Sequence, residues 1–283
     1  MEVIRTAAGA REVCDAARAA GQGIGFVPTM GAFHEGHVSL MRRARDERET
    51  VVVSVFVNPL QFGSADDLAA YPRDEEHDHA IAERLGVDLV FAPSVEEMYP
   101  DGEPEVTIDP GPLADRLEGA SRPGHFGGVV TVVAKLFHVV GRCRAYFGEK
   151  DAQQLVVVRR TVRDLSFPVD IVACPTVREA DGLAMSSRNA RLTSEERDAA
   201  GCLFLALSEA AEMVCAGEAD AKKLVSAMAR EIEATPLARL DYAAVVDEET
   251  FEEVREITRP ARAVVAGWFG DTRLIDNLLL HRA

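Results

Sequence analysis

Two histidines near the start of the chain, His34 and His37, follow a short apolar run and a turn that contains glycine. If a helix has begun there, their spacing of three residues places both rings on one face of it. A helix N-terminus presents free N–H groups and the positive end of the helix dipole, which favour phosphate. Imidazoles at that position can stabilise charge that develops on phosphoryl oxygens. The alternative is that the two side chains only cap the helix.

A lysine in a second glycine-containing turn is the next candidate. The chain has only four lysines, and Lys150 lies in the turn Gly148-Glu149-Lys150-Asp151, where a strand is predicted to give way to a helix with Asp151 as its N-cap. A compact ammonium can approach a phosphate or a carboxylate where a wide guanidinium does not fit. The alternative is a solvated surface lysine, which is the commoner role of a single lysine.

A third candidate is the short loop Met185-Ser186-Ser187-Arg188. Two hydroxyls and one guanidinium in so short a loop can clamp a phosphate. The same composition also suits an ordinary polar linker between domains, so the loop alone does not decide between the two interpretations.

Two glutamines, Gln61 and Gln154, lie at predicted loops or first helical turns beside the sheet. A side-chain amide can accept from the hydroxyl of a hydroxy acid and donate to its carboxylate. Either residue could equally be a surface side chain.

Acidic runs offer a possible metal site. Asp66-Asp67 and the run Asp74-Glu75-Glu76 with Asp78 could hold Mg²⁺. Most such runs are solvated helix starts, where acidic side chains complement the helix dipole. The metal ligands therefore stay unknown at this point.

The elements that position these side chains follow from the hydrophobic pattern of the first half. Strands are predicted at residues 24–27, 51–57, 87–91, 144–147 and 169–174, and helices at residues 3–20, 38–49, 74–85, 129–140 and 151–165. Such alternation predicts an α/β fold, a Rossmann-like doubly wound parallel sheet. Ligands of these folds bind beyond the carboxyl ends of the strands, so the loops 28–37, 58–62, 148–154 and 175–189 are expected to converge on one crevice.

The pattern changes after about residue 176. A helix that starts at Thr193 or Ser194 and continues to residue 216, a second helix at 221–234, and short strands at 242–246, 261–269 and 272–275 predict a smaller C-terminal α+β domain. The predicted domains are therefore residues 1–176 and residues 177–283.

Composition excludes several classes of protein. A hydrophobic content of 47% and a charged content of 28% are ordinary for a globular chain, and a net charge of −16 argues against nucleic acid as the main partner. No apolar run of about 18 residues predicts a membrane span, and the first residues lack the pattern of a signal peptide. Five scattered cysteines without a C-x-x-C pair favour a reducing cytoplasm.

The ordered combination of motifs resembles a known family. His34-Glu35-Gly36-His37 and Met185-Ser186-Ser187-Arg188 resemble the two nucleotide-binding motifs of the class I aminoacyl-tRNA synthetase and nucleotidylyltransferase superfamily. Residues 28–31, 56–62, 71–73, 117–119, 122–126, 147–151 and 153–155 narrow the resemblance to the pantothenate synthetase (pantoate–β-alanine ligase) family. The similarity extends in order from residue 24 to about residue 277.

The resemblance implies an enzyme of pantothenate and coenzyme A biosynthesis that condenses D-pantoate with β-alanine. ATP is consumed through an enzyme-bound pantoyl adenylate, with release of pyrophosphate and then AMP. The family also implies a homodimer, and Mg²⁺ is expected on the β- and γ-phosphates. A C-terminal lid domain that closes over ATP is a further hypothesis. Its partners are small molecules, without nucleic acid or membrane.

The resemblance also assigns the site residues. The charge-stabilising catalytic residues are His34, His37, Lys150, Ser186, Ser187 and Arg188, with His37 also a candidate proton donor. The ATP-binding residues are Met30, Gly31, Ala32, Phe33, His34, Glu35, Gly36, His37, Gly148, Glu149, Lys150, Asp151, Val177, Met185, Ser186, Ser187 and Arg188. Gln61 and Gln154 are assigned to pantoate, and Gln61 also to β-alanine. Two alternatives stay open: another adenylate-forming or nucleotidyl-transferring enzyme, and a nucleotide-binding regulator without turnover.

Overall fold

The computed structural model describes residues 1–281, which divide into two units. The first unit comprises Met1–Glu149 and Val157–Pro175, and the second comprises Lys150–Val156 and the chain from Thr176 onward. The last two residues of the predicted C-terminal domain, 282 and 283, lie outside the described residues. The domain boundary after residue 176 stays a prediction.

A parallel sheet forms the centre of the first unit. Its strands are β1 (Glu2–Ile4), β2 (Ile24–Thr29), β3 (Thr50–Val55), β4 (Leu89–Phe91), β5 (Cys143–Gly148) and β6 (Val169–Cys174). They are ordered β1-β4-β3-β2-β5-β6, and the paired strands are parallel. The chain builds outward from β2 through β3 to β4 and then returns to β5, so the topological switch point lies between β2 and β5. A ligand of such a sheet binds at that point, beyond the carboxyl ends of the strands.

Helices connect these strands. They are α1 (Ala7–Ala19), α2 (Glu35–Glu47), α3 (Ala65–Ala69), α4 (Glu75–Arg84), α5 (Val95–Met98), α6 (Glu118–Ser121), α7 (His125–Val140) and α8 (Ala152–Asp164). The sheet interior is β-branched and buried: Val51, Val52 and Val53 are at most 1% exposed. Burial also explains why α7 is a helix despite its valines, because packing outweighs the small cost of β-branching.

The second unit has a separate core. It contains α9 (Ser194–Ala200), α10 (Cys202–Cys215), α11 (Ala221–Ala234), and the antiparallel strands β7 (Ala238–Asp247), β8 (Ala261–Phe269) and β9 (Thr272–Leu280), ordered β7-β8-β9. Leu203, Leu207 and Leu224 are fully buried in this core together with Phe269. The predicted fold class, a doubly wound parallel sheet with a smaller α+β domain, is confirmed.

Several predicted boundaries are wrong, for local reasons. The helix predicted at residues 3–20 begins at Ala7, because the side chain of Thr6 caps it by accepting from the N–H of Gly9, and the preceding β1 pairs with β4. The long helix predicted to residue 216 is two helices that meet at Gly201. The helix predicted to start at residue 38 starts at Glu35.

Candidate active site

The side chain of Thr29, the last residue of β2, connects the loop that follows to β3. The Thr29 hydroxyl donates to the carbonyl of Ser54 at 2.6 Å and accepts from the N–H of Gly31 at 3.2 Å. Gly31 has a φ of +84°, and a Cβ there would lie 2.8 Å from a carboxylate oxygen of Asp78. Both the left-handed backbone and the close contact therefore require glycine at this position.

Asp78 on α4 fixes the next two residues of the loop. Its carboxylate accepts from the N–H of Ala32 at 2.8 Å and from the N–H of Phe33 at 2.7 Å. Asp78 is 2% exposed, and burial raises its pKa, although the two N–H groups act in the opposite direction. Asp78 belongs to the acidic run that could hold Mg²⁺, but its carboxylate accepts hydrogen bonds from two backbone N–H groups. Asp74, from the same run, caps α4 through the N–H of His77.

The two histidines form a reciprocal cap at the start of α2. Nδ1 of His34 accepts from the N–H of Gly36 at 3.1 Å, and Nδ1 of His37 accepts from the N–H of His34 at 3.3 Å. The ring centroids lie 4.2 Å apart. Because each Nδ1 is an acceptor, the neutral form of each ring carries its proton on Nε2. Both histidines therefore cap the helix, and each Nε2–H belongs to a ring that lies at the helix N-terminus.

Gln61 lies in the short helix Pro59–Gln61, which follows β3. Its Nε2 contacts the sulfur of Met30 at 2.9 Å, and its Oε1 accepts from Nδ2 of Asn58 at 3.2 Å. Asn58 is 1% exposed and also accepts from the hydroxyl of Tyr99 at 2.8 Å. The first unit thus brings Gln61, predicted for pantoate, against Met30, predicted for ATP.

The backbone of Gln61 is held by Arg122, at the end of α6, and by His125, the first residue of α7. Nδ1 of His125 lies 2.8 Å from the carbonyl oxygen of Gln61, and the Arg122 guanidinium donates to the same oxygen at 3.1 Å. A Cβ at Gly128 would lie 2.3 Å from the carbonyl oxygen of Leu60. Glycine at this position lets α7 pack directly on the backbone that carries Gln61.

Lys150, in the second unit, lies in the short helix Glu149–Asp151 that precedes α8. Its carbonyl oxygen accepts from Nδ2 of Asn277 on β9 at 2.8 Å, and Oδ1 of Asn277 accepts from the Arg262 guanidinium. Nζ of Lys150 lies 3.6 Å from the Asp151 carboxylate. The side chain of Lys150 is 19% exposed, so it is neither buried nor the solvated surface side chain of the alternative interpretation.

A buried ion pair lies beside Asn277. The Arg178 guanidinium contacts both carboxylate oxygens of Asp276, at 2.6 and 3.0 Å, and donates to the carbonyl of Asn277 at 3.2 Å. The Asp276 side chain has no exposure, and burial raises its pKa despite the opposing effect of Arg178. This bidentate pair fixes the end of β9 that holds the Lys150 turn.

The Met185–Arg188 loop belongs to the second unit and is also tied to backbone. The N–H of Met185 donates to the carbonyl of Val177 at 2.9 Å, which joins two residues predicted to bind ATP. The Ser186 side chain caps the short helix Ser187–Arg191 by accepting from the N–H of Arg188 at 3.2 Å. Ser186, Ser187 and Arg188 are all half-buried, as is Gln154 on α8.

Sequence reasoning missed the residues that position the site. The sequence predicts Asp78 as a metal ligand or a solvated helix-start residue and Asn58 only as part of the loop 58–62, and it predicts no role for Asn277 or Asp276. Asn58 precedes a proline after a buried strand, which is a detectable signal for a loop-fixing side chain. Asp276 and Asn277, both on β9, have no such signal in the neighbouring sequence. Among residues 1–281, no group of three or more His, Cys, Asp and Glu side chains is arranged to hold a metal ion.

A doubly wound parallel sheet with a histidine-capped helix after β2 places the first unit in the Rossmann-like α/β class. The sequence model of the family described as Pantoate-beta-alanine ligase matches residues 2–279. The chain therefore belongs to the pantoate–β-alanine ligase family, which confirms the family predicted from the sequence motifs.

Individual relatives agree with this family assignment. Pantothenate synthetase of Roseiflexus sp. is 55% identical over 282 residues, which cover 99% of this chain and 100% of the relative. The crystal structure of pantothenate synthetase from Thermus thermophilus matches with a TM-score of 0.90 at 51% identity, over 98% of this chain and 99% of that one. Pantoate-beta-alanine ligase from Francisella tularensis, crystallised with beta-gamma ATP and beta-alanine, matches with a TM-score of 0.82 at 35% identity, over 99% and 97% of the chains.

No helix in the part of this chain that the structure describes has the length and apolar character needed to cross a bilayer.

Proposed function

We propose that this protein condenses D-pantoate with β-alanine, using ATP through a pantoyl-adenylate intermediate and releasing pyrophosphate and then AMP. It is an AMP-forming acid–amine ligase of pantothenate biosynthesis. The observation that carries the proposal is the reciprocal cap of His34 and His37. This cap supports the proposal because it holds both imidazoles at a helix N-terminus just after the carboxyl end of β2, and we assign to them the stabilisation of negative charge in adenylate formation.

In the first step, a carboxylate oxygen of pantoate attacks the α-phosphorus of ATP. The bond from that phosphorus to the bridging oxygen breaks, and pyrophosphate leaves with the electron pair. Charge accumulates on the phosphoryl oxygens, and the residues proposed to stabilise it are His34, His37, Lys150, Ser186, Ser187 and Arg188. The loop residues 30–37, the turn 148–151, Val177 and the loop 185–188 bind the nucleotide. Positioning and charge stabilisation suffice, so no covalent bond to the protein forms.

Gln61 and Gln154 bind pantoate in this proposal. An amide can accept from the hydroxyl of pantoate and donate to its carboxylate, which orients that carboxylate toward the α-phosphorus. Asn58 supports the assignment of Gln61, because it holds the oxygen of the Gln61 amide and so fixes which end of the amide donates. Gln61 also binds β-alanine.

In the second step, the neutral amine of β-alanine attacks the acyl carbon of the adenylate. The bond from the acyl carbon to the phosphate oxygen breaks, AMP leaves with that electron pair, and the new amide loses one proton. The groups that stabilise the phosphoryl oxygens in the first step also stabilise the negative charge of AMP as it leaves.

Mg²⁺, if bound to the ATP phosphates, would supply positive charge that offsets the charge of the leaving pyrophosphate. The described residues supply no carboxylate cluster for it, so no step of the chain's own chemistry is assigned to the metal. The enzyme is further expected to be a cytoplasmic homodimer. Its C-terminal domain is expected to close over ATP, and small-angle scattering without a change in dimensions on addition of nucleotide would contradict that closure.

The test is to measure AMP release from ATP with D-pantoate, in the presence and absence of β-alanine. AMP formation that needs both acids establishes the ligase, and pantoate-dependent exchange of pyrophosphate into ATP without β-alanine establishes the adenylate. Exchange supported only by another carboxylic acid would replace the substrate assignment. Nucleotide binding without any exchange would favour a regulator without turnover.

A further inference from the structure

A second cleft lies at the amino ends of the parallel strands, whereas the loops assigned to catalysis follow their carboxyl ends. It has a volume of about 520 Å³, and the first residues of three strands line it: Ile24 of β2, Cys143 of β5 and Val169 of β6. The loops assigned to catalysis follow the carboxyl ends of β2 and β5. A strand of six residues is roughly 20 Å long, so the cleft is separated from those loops by about that distance.

The charge of the cleft is opposite to that of the chain. Arg18, Arg48, Arg142 and Arg144 line it, and Asp170 is the one acidic residue among its lining residues. The whole chain carries a net charge of −16, so this local excess of guanidinium groups is not a consequence of composition. Guanidinium groups bind phosphate, as they bind carboxylate, with two parallel hydrogen bonds, so a cluster of them suits an oxyanion with several negative charges.

Two of the four arginines have carboxylate partners. Arg18 pairs with Asp15, and Arg144 lies 3.2 Å from a carboxylate oxygen of Glu47 and 3.9 Å from Asp170. These ion pairs hold the two side chains in place and neutralise part of their charge. They do not satisfy all five N–H donors of either guanidinium.

Arg48 and Arg142 differ from Arg18 and Arg144 in their distance from carboxylates. Among the ion pairs of residues 1–281, neither side chain has a carboxylate oxygen within 4.0 Å. Arg48 is half-buried and Arg142 is exposed. The carboxylate of Glu49, beside Arg48 in sequence, accepts from the N–H of Gly23 at 2.8 Å. Backbone hydrogen bonds and the nearby Arg48 guanidinium lower the pKa of Glu49, so this carboxylate offsets part of the Arg48 charge. Among the described residues, Arg142 is left with no carboxylate at ion-pair distance.

Glycines make room for two of the guanidinium groups. A Cβ at Gly23 would lie 3.0 Å from Cδ and 3.2 Å from Nη1 of Arg48, and a Cβ at Gly141 would lie 2.9 Å from Nη2 of Arg18. Both side chains thus pack against glycine backbone. The position of each cation is defined by the fold, as a binding site requires.

We propose that this cleft, lined by Arg18, Arg48, Arg142 and Arg144, binds a small anion that carries two or more phosphate groups. One phosphate engages one or two guanidinium groups, so four around a single cleft match an oligophosphate better than a single phosphate. The volume lies within the range of about 300–1,000 Å³ that is usual for small-molecule sites. The proposal is independent of the proposed ligase function, because none of these arginines is assigned to catalysis.

The experiment is isothermal titration calorimetry of the full-length protein with inorganic tripolyphosphate, after the nucleotide site has been saturated with a non-hydrolysable ATP analogue. The test variants are the double variant Arg48→Gln/Arg142→Gln and the single variant Arg142→Gln, whose exposed position leaves folding intact. The matched control is Arg11→Gln/Arg84→Gln, which removes the same charge from exposed positions on α1 and α4. We expect the double variant to bind at least about tenfold more weakly, the single variant to be intermediate, and the control to change by less than about twofold.

Three outcomes would overturn the proposal. The wild-type protein, once saturated with the analogue, could bind no tripolyphosphate. The cleft variants could bind as tightly as the wild type. The control could lose as much affinity as the double variant, which would reduce the effect to net charge. Because binding is measured directly, the result holds whether or not ligase activity is found.

Discussion

The carboxylate of Asp78 accepts the backbone N–H of Phe33 at 2.7 Å, across 45 residues of sequence. Its other oxygen accepts the N–H of Ala32, so one buried side chain from α4 fixes the backbone just before His34. The start of α2, and with it the direction of the two imidazoles, therefore depends on a residue that need not touch a substrate.

Asp78→Ala should reduce both stability and kcat. The substitution leaves two backbone N–H groups without their acceptor, and an unsatisfied buried donor costs about 1–3 kcal/mol. Urea unfolding and steady-state kinetics measure the two effects. Glu76→Ala, at an exposed position on the same helix, should change neither by much. If Asp78→Ala matched the Glu76 control, the loop would not depend on this contact.

Two substitutions of His37 can distinguish its role as a helix cap from its proposed role in catalysis. His37→Ala removes the acceptor for the N–H of His34 and also the imidazole, whereas His37→Gln can restore the reciprocal cap, because glutamine is a usual residue at that position of a capping box. We expect His37→Gln to recover most of the roughly 1 kcal/mol lost with the cap. Its kcat should nevertheless stay at least about a hundredfold below that of the wild type. Near wild-type turnover in His37→Gln would mean that the ring serves only as a cap.

Lys150→Met tests charge stabilisation in the second unit. If the ammonium acts mainly on charge that develops in the transition state, kcat should fall far more than the affinity for ATP. Equilibrium binding of an ATP analogue and the rate of pyrophosphate exchange give the two quantities. Lys222→Met, at an exposed position on α11, is the control. Equal losses in binding and turnover would make Lys150 a ground-state contact.

Asn277 is a positioning residue for Lys150 and can be tested through it. Asn277→Ala removes the 2.8 Å hydrogen bond to the Lys150 carbonyl, and a modest fall in kcat of about tenfold is expected with little change in KM for pantoate. In the Lys150→Met background the same substitution should have little further effect on kcat, because the group that it positions is absent. Additive losses in the double variant would show that Asn277 acts by another route.

The sequence predicted the parts of this molecule that local patterns determine. The apolar run before Pro28, the histidine pair and the capping signal at Thr193 each predicted an element within a few residues of its place. The three-residue strand β1 was missed because it has too few positions for an alternating pattern and is defined by its pairing with β4.

The supporting contacts could not be predicted, because they join distant parts of the chain. Asp78 meets the loop across 45 residues, and Asn277 meets Lys150 across 127 residues. Nothing near either residue in sequence distinguishes it from a surface side chain. Candidate catalytic residues have characteristic types and spacing, whereas the residues that hold them are identified by the fold.

The buried cysteines should make stability fall at alkaline pH. Burial raises the pKa of Cys14 to about 11, of Cys143 to about 12, and of Cys174 and Cys202 to about 11, from an ordinary value of 9.0. Between pH 9 and these values the unfolded chain loses thiol protons that the folded chain keeps. The folded state then binds more protons, so the free energy of unfolding decreases as pH rises. Cys14 is 0% exposed, and its shift corresponds to at most about 3 kcal/mol.

Urea unfolding at a series of pH values from about 8 to 11, in the presence of a reductant, measures this slope. Cys14→Ala should make the alkaline slope shallower than in the wild type, whatever its effect on stability at neutral pH, because one raised thiol has been removed. Cys215→Ala is the control, since Cys215 is the exposed cysteine. An unchanged slope in Cys14→Ala would mean that the Cys14 thiol titrates alike in the folded and unfolded chains, and that burial at this position does not protect its proton.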